Sequence, residues 1–194
     1  MKRIELTAIA ITGLFIVLRL LFGAFLNAPL MVMLVLLSIY YLWFGFFLFN
    51  NVTNEQLLSK HGRNKFNIFN ISSSIIMGVV YSFSVISIMF ALFFYSGMNL
   101  VLGSAFFLLF LSLVSSFIYH KYYNVDKSFL YQFVIRSAAY GIICLFLFLT
   151  PVDKRLEALF HNHPEFIEAY KNYRENPDDP KAEDELRRQR NRFR

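Results

Sequence analysis

Long apolar runs separated by short polar joints make up the first three quarters of the chain. An apolar stretch of about 18 or more residues is long enough to cross a bilayer as a helix, whereas shorter apolar runs belong to the cores of water-soluble proteins. The pattern therefore predicts an all-α fold, a polytopic membrane helix bundle of about five transmembrane helices within residues 1–150. The predicted spans cover residues 4–26, 30–49, 68–95, 100–119 and 129–150.

The joints contain residues that favour turns and helix starts. Asn27 and Pro29 suit the cap and the first turn of a helix, so the second span should start near Leu30. The short polar segment 96–99 predicts a turn between the third and fourth spans, and Pro151 should end the fifth. The basic start and the long apolar run of the first span indicate an uncleaved signal-anchor rather than a cleaved signal peptide.

The pattern changes after residue 150, because charged and polar residues dominate residues 151–194. Apolar residues at helical spacing from Leu156 to Tyr170 predict a helix whose apolar stripe lies on the membrane interface or on a partner. Asp179 followed by Pro180 predicts the cap and the first turn of a second helix. We therefore expect the bundle to carry a short, charged, helical carboxy-terminal tail of two helices.

The composition agrees with lipid surroundings for the first 150 residues. Hydrophobic residues make up 57% of the chain and charged residues 16%, compared with about 25% charged residues in a typical soluble domain. Ten of the 13 acidic residues follow residue 150. No Asp, Glu or His is expected at mid-membrane within a span. Ion-coupled carriers and intramembrane acid–base enzymes need such a titratable group, so both classes are disfavoured.

Basic residues near the span ends indicate which way the bundle faces. Because Lys and Arg concentrate in cytoplasmic loops, we expect a cytoplasmic amino terminus in a cell inner (plasma) membrane. Five spans would put the tail on the opposite side, whereas a re-entrant fifth segment would leave four spans and a cytoplasmic tail. The residues that favour this orientation are Lys2, Arg3, Lys60, Arg63, Lys65, Lys121 and Lys127, against Lys154, Arg155 and Lys171 on the other side.

Arg19 and Arg136 are the charged residues that lie well inside predicted spans. Each is about seven residues, or on the order of 10 Å, from an end of its span. One interpretation is that both side chains snorkel to lipid headgroups, in opposite leaflets. The other is that they contact an anionic ligand or a partner, since an intramembrane charge is often functional.

Small residues recur at four-residue intervals on three of the predicted spans. Such rows let helix backbones approach closely in lipid, so they predict helix contacts. The alternative is a solute path lined by serines, although the serines of the third span are spread around the helix and define no single face. Tyr40, Tyr41 and Trp43 predict an aromatic belt at the membrane interface. The small residues are Ser74, Gly78 and Ser82 on the third span, Ser112 and Ser116 on the fourth, and Ser137 and Gly141 on the fifth.

No motif predicts catalysis, a metal site or a cofactor. His161 and His163 lie near Glu165 and Glu168, but their spacing matches no zinc pattern and Pro164 separates them from the glutamates. The chain has no nucleophile–base motif, no phosphate-binding loop and no dinucleotide fingerprint.

The tail ends in a run of arginines that could dock anionic headgroups or an acidic partner. Nucleic acid is not expected as a partner, because acidic residues lie beside the run. The combined pattern predicts a non-enzymatic accessory, assembly or scaffolding subunit that binds membrane lipid and a protein partner or a second copy. The alternative is a small oligomeric transporter or channel component handling a lipid or an anionic solute, and a third possibility is an intramembrane enzyme with loop groups such as His120. The arginines are Arg187, Arg188, Arg190, Arg192 and Arg194.

Overall fold

The computed structural model describes residues 2–22, 26–50, 68–123 and 127–192. Over these residues the chain forms eight helices and no strand, so the predicted all-α class is confirmed. Helices α1 to α5 are long and apolar enough to cross a membrane, which agrees with the predicted number of about five transmembrane helices. The helices are α1 Lys2–Phe22, α2 Asn27–Asn50, α3 Ile68–Leu92, α4 Met98–Tyr123, α5 Lys127–Leu149, α6 Val152–Phe160, α7 Pro164–Glu175 and α8 Pro180–Asn191.

The turn between α3 and α4 is longer than the sequence pattern predicts. Helix α3 ends at Leu92 instead of residue 95. Phe94 and Gly97 adopt φ values of 53° and 76°, which are left-handed conformations that end a right-handed helix. The apolar pattern continues through residues 93–95, beyond the end of the helix, so hydropathy alone could not locate that end.

The tail has three helices in the described part of the chain, so the prediction of two was wrong. Pro164 is in the first turn of α7 and His163 precedes it. Proline has no backbone N–H to continue a helix, and therefore the apolar stripe is divided between α6 and α7. The predicted start of the last helix is confirmed, because Asp179 accepts a hydrogen bond from the backbone N–H of Lys181 at 3.0 Å.

The chain divides into two compact units, the first of which contains the described residues of Met1–Ala8 and Leu34–Leu149. Helices α3, α4 and α5 pack against one another in this unit. Hydroxyl-bearing side chains such as Ser84 and Ser87 are buried, whereas Leu100 and Phe146 are exposed. Polar groups inside and large apolar groups outside are typical of a protein surrounded by lipid.

The second unit contains the described residues of Ile9–Met33 and Thr150–Arg194. Helix α7 packs against both α6 and α8. Exposed ion pairs join the tail helices: Asp153 to Arg174 at 2.7 Å, Glu157 to Lys171 at 3.2 Å and Glu165 to Arg192 at 2.6 Å. The buried apolar side chains of the tail are Leu156, Leu159, Phe160, Phe166, Ala169, Ala182 and Leu186.

Candidate functional site

Glu5, on the first turn of α1, is buried in the first unit against Arg136 of α5. The Glu5 side chain accepts hydrogen bonds from Nε of Arg136 at 2.6 Å and from Nη2 at 2.5 Å. Nη1 of Arg136 donates to the backbone carbonyl of Gln132 at 3.1 Å. Only 2% of Glu5 is exposed. Two parallel N–H···O bonds between a guanidinium and a carboxylate are stronger and more directional than hydrogen bonds between neutral groups.

This pair bears on two statements made from the sequence. Glu5 belongs to the candidate span Arg3–Phe22, but it lies near the start of that span and not at mid-membrane. The guanidinium of Arg136 bonds to Glu5 and to the backbone carbonyl of Gln132 on its own helix, so it contacts an anionic group of the same chain. The sequence did not reveal the pair, because 131 residues separate its members and an acid so near the start of an apolar run is indistinguishable from an interfacial residue.

Two tyrosines extend the ion pair into a hydrogen-bonded chain. The hydroxyl of Tyr41 donates to Oε1 of Glu5 at 2.9 Å, and the hydroxyl of Tyr140 donates to that of Tyr41 at 3.0 Å. Tyr41 is fully buried, so its assignment to an interfacial aromatic belt was wrong, whereas Trp43 is exposed. Three donors, two from Arg136 and one from Tyr41, therefore converge on one carboxylate.

A third tyrosine, Tyr81, packs between this hydrogen-bonded chain of side chains and a second group of polar atoms. Tyr81 donates to the backbone carbonyl of Phe133 at 3.1 Å and shares a 2.7 Å hydrogen bond with Ser137, for which Ser137 is then the donor. The rings of Tyr41, Tyr81 and Tyr140 lie 5.6–5.7 Å apart, pair by pair. We call these three residues the tyrosine cluster; α2, α3 and α5 each contribute one member to it.

Helices α2 and α3 approach each other closely beside the tyrosine cluster. A Cβ atom added to Gly78 would lie 2.6 Å from the backbone oxygen of Tyr41, and one added to Gly45 would lie 2.7 Å from Cα of Gly78. Ser38 and Ser82 share a hydrogen bond of 2.8 Å across the same pair of helices. Gly78 and Ser82 are thus at a helix contact, and Gly45 is a residue of that contact that the sequence analysis did not identify.

Ser74 also belongs to this contact, since it is fully buried on α3 and a Cβ atom added to Gly45 would lie 3.3 Å from its backbone oxygen. The predicted contact residues of α4 and Gly141 of α5 have different surroundings. Ser112 and Ser116 donate to carbonyl oxygens of their own helix, those of Leu109 and Ser112, each at 2.8 Å. A Cβ atom on Gly141 would meet no described heavy atom within 4 Å. The glycine of α5 therefore has room for a side chain, unlike Gly78.

Arg19 lies in the second unit and is fully buried. Its guanidinium carbon is 5.3 Å from the centroid of the Phe160 ring, a cation–π geometry. Phe160 in turn packs on Phe166, with ring centroids 4.4 Å apart. Arg19 therefore contacts the first tail helix, and its role toward a headgroup, an anionic ligand or a partner stays a prediction.

The tail holds further buried and exposed charges. Desolvation by burial lowers the pKa of Arg155 and raises the pKa of Tyr170. Arg187 and Arg188 are exposed, Arg190 is half-buried, and Arg192 bonds to Glu165. Arg194 lies outside the described residues. Within the described ranges, no group of three or more His, Cys, Asp or Glu side chains is placed to hold a metal ion.

The arrangement around Arg136 can hold an oxyanion in place by charge and by directed hydrogen bonds. Its donors come from α2 and α5 and its carboxylate comes from α1. No known protein family, curated protein or solved structure matches the chain.

Proposed function

We propose that the chain is a non-enzymatic accessory, assembly or scaffolding subunit of a larger membrane complex, held by five spans and docked through its tail. The observation that carries the proposal is a contrast between the two parts of the chain: polar groups in the spans bond to one another, whereas charged groups in the tail are exposed. In the spans, Glu5 and Arg136 satisfy each other, and Tyr81 bonds to Ser137. In the tail, charges of both signs are exposed on three helices that pack on a small apolar core.

The tail has the properties of a preorganised docking surface. Its helices are joined by ion pairs, and Phe166 is buried between them with Leu156 and Leu186. A folded surface loses less conformational entropy on binding than a disordered tail does. Arg187 and Arg188 are exposed near the end of α8, so a partner with an acidic patch fits this surface.

A charge reversal tests the docking role. We expect the protein, purified in mild detergent, to bring a stoichiometric partner with it. Arg187→Glu/Arg188→Glu should weaken that association on the order of tenfold, because two interface charges change sign. The matched control is Lys154→Glu/Lys181→Glu, which makes the same charge change on α6 and α8 at other exposed positions and should keep the partner. A stable protein that purifies alone, or equal losses in both variants, would contradict the proposal.

The proposed location is a cell inner membrane, with the amino terminus in the cytoplasm and the tail on the other side. Five antiparallel crossings require the end of α1, the start of α2 and the tail to share one side of the membrane. The second unit gathers these three segments, which supports five crossings over four. The cytoplasmic amino terminus rests on the distribution of basic residues, of which Lys60, Arg63 and Lys65 lie outside the described residues.

A second candidate function is a small oligomeric transporter or channel component that handles a lipid or an anionic solute. The observation that favours it is the ionisable pair of Glu5 and Arg136 within the spans, since such groups often mark substrate pathways. In reconstituted vesicles, Arg136→Gln should then abolish flux of a labelled anionic lipid or solute, and Arg19→Gln tests the other buried arginine. Flux equal to that of the unaltered protein would remove the role of Arg136.

A further inference from the structure

The donors that surround the Glu5 carboxylate belong to helices other than its own. Nε and Nη2 of Arg136 come from α5 and the hydroxyl of Tyr41 comes from α2. Nε and Nη2 form a fork of two N–H groups that bond to Oε1 and Oε2 of Glu5, and the Tyr41 hydroxyl is a third donor, to Oε1. Such a fork fits a carboxylate and a phosphate equally well, because both present two oxygens at similar spacing.

These donors are also held in place by contacts that do not involve α1. Tyr140 donates to the hydroxyl of Tyr41 at 3.0 Å, and the ring of Tyr81 packs against both tyrosines. Nη1 of Arg136 is held by the carbonyl of Gln132. Removing Glu5 would therefore leave a preorganised, positively charged site rather than a collapsed one.

We propose that Arg136 and Tyr41 form an oxyanion-binding site that Glu5 occupies as a tethered ligand, and that a phosphate or carboxylate group of another molecule competes for it. The Arg136 side chain is 14% exposed and the Glu5 side chain 3%, so the arginine side is the open edge of the site. Arg136 lies six residues into the span Leu130–Leu149, which is a depth of about 9 Å. A lipid headgroup and a small soluble anion both carry the required chemistry. The inference does not depend on the docking role of the tail.

Vacating the site tests the proposal. Glu5→Ala removes both carboxylate oxygens and leaves the three donors. The Tm of the variant is measured in neutral maltoside micelles. In the lipid comparison, dioleoyl phosphatidylglycerol is the anionic probe and diacylglycerol is the uncharged control. In the salt comparison, potassium phosphate or formate is the probe and potassium chloride at equal ionic strength is the control. A ligand that binds only the folded protein raises its Tm, and we expect a rise of about 5 °C for Glu5→Ala at saturating ligand. The unaltered protein should shift by less, because Glu5 competes.

Three matched variants locate the effect at the site. Glu5→Ala/Arg136→Gln removes the guanidinium and should lose the ligand-dependent rise in Tm. Glu5→Ala/Tyr41→Phe removes one donor and should raise the ligand concentration for half the effect about tenfold. Glu157→Ala removes an exposed tail glutamate and should respond as the unaltered protein does. A rise that persists without Arg136 would indicate binding elsewhere and would overturn the assignment.

Each outcome supports or contradicts the proposal. An outcome that supports it also identifies the source of the ligand. A response to phosphatidylglycerol alone identifies a lipid headgroup, and a response to phosphate or formate identifies a soluble anion. If Glu5→Ala folds only when one of these anions is present during purification, that rescue supports the site. If Glu5→Ala stays folded and responds to none of them, or cannot be rescued by any, Glu5 and Arg136 only fasten the helices and the proposal fails.

Discussion

At the scale of single residues, the charge on Arg136 is matched inside the bundle by Glu5. A buried ion pair gains little over apolar packing, because desolvation offsets much of the attraction. Loss of one partner is different, since it leaves an uncompensated charge in a medium of low dielectric constant. The pair therefore makes the first unit sensitive to any change that removes only one of the two charges.

This sensitivity predicts an asymmetry between single and double variants. Arg136→Gln should lower the free energy of unfolding by about 3–5 kcal/mol, because Glu5 stays buried without its cation. Glu5→Gln/Arg136→Gln should lose clearly less, since no charge is stranded. Denaturant unfolding of both variants in mild detergent measures the difference. Equal losses would mean that a buried Glu5 carboxylate without its cation carries no measurable penalty.

The small-residue row that includes Gly78 and Ser82 could be predicted from the sequence. Which of two adjacent tyrosines on α2 is buried could not be predicted. Tyr40 and Tyr41 are adjacent, and which of them faces inward depends on the rotation of α2 in the bundle. That rotation is set by packing at Gly45 and Gly78. An apolar helix such as α2 has no polar face from which the rotation could be read.

At the scale of elements, the contact of α2 with α3 depends on residues without side chains. Cβ atoms at Gly45 or Gly78 would meet backbone atoms of the opposite helix at 2.7 Å and 2.6 Å. Backbone cannot rotate away as a side chain does, so the helices would have to separate. The tyrosine cluster lies on the same helices, and separation would also alter its ring contacts.

Two alanine substitutions should therefore have opposite effects. Gly78→Ala should lower the Tm by several degrees, because a destabilisation of about 1 kcal/mol shifts the Tm of a chain of this size by about 2–4 °C and the helices cannot keep their distance. Gly141→Ala should leave the Tm unchanged or raise it, since alanine is the better helix former and the site has room. Thermal unfolding in one detergent compares them directly. A harmless Gly78→Ala would show that α2 and α3 tolerate a wider spacing.

The five long helices could be predicted because their signal is a length of apolar sequence, which the bilayer itself imposes. The division of the tail could not be predicted as easily. Its apolar stripe from Leu156 to Tyr170 has helical spacing throughout, but helix α6 ends at Phe160 and α7 begins at Pro164, which has no backbone N–H to donate. The stripe then folds back on itself, so that Phe160 and Phe166 contact each other.

Phe160 should hold the tail helices in place, since it is buried and contacts both Arg19 and Phe166. Phe160→Ala should cost about 3–5 kcal/mol of local stability and expose α6 and α7 to protease. Hydrogen exchange of tail amides or limited proteolysis would measure the change. Phe107→Ala, at an exposed position of α4, is the control and should leave the tail protected. Equal protection in both variants would show that the tail folds without Phe160.

At the scale of the whole molecule, five crossings require the two ends of the chain to lie on opposite sides of the membrane. Reporters fused to either end, one fluorescent only in the cytoplasm and one active only outside it, should give opposite signals. We expect cytoplasmic fluorescence at the amino end and external enzyme activity after Arg194. Signals from the same side at both ends would leave four crossings and make α5 re-entrant.

The distance of 131 residues between Glu5 and Arg136 also constrains biosynthesis. At ordinary translation speeds the ribosome needs on the order of ten seconds to add that many residues. During this interval the nascent chain holds an acid in the apolar helix α1 while the matching cation has not yet been made. Premature termination after α4 would make the mismatch permanent. Quality-control proteases that survey the bilayer for unmatched charges should therefore remove shortened products, and completion of α5 would be the event that protects the chain from degradation.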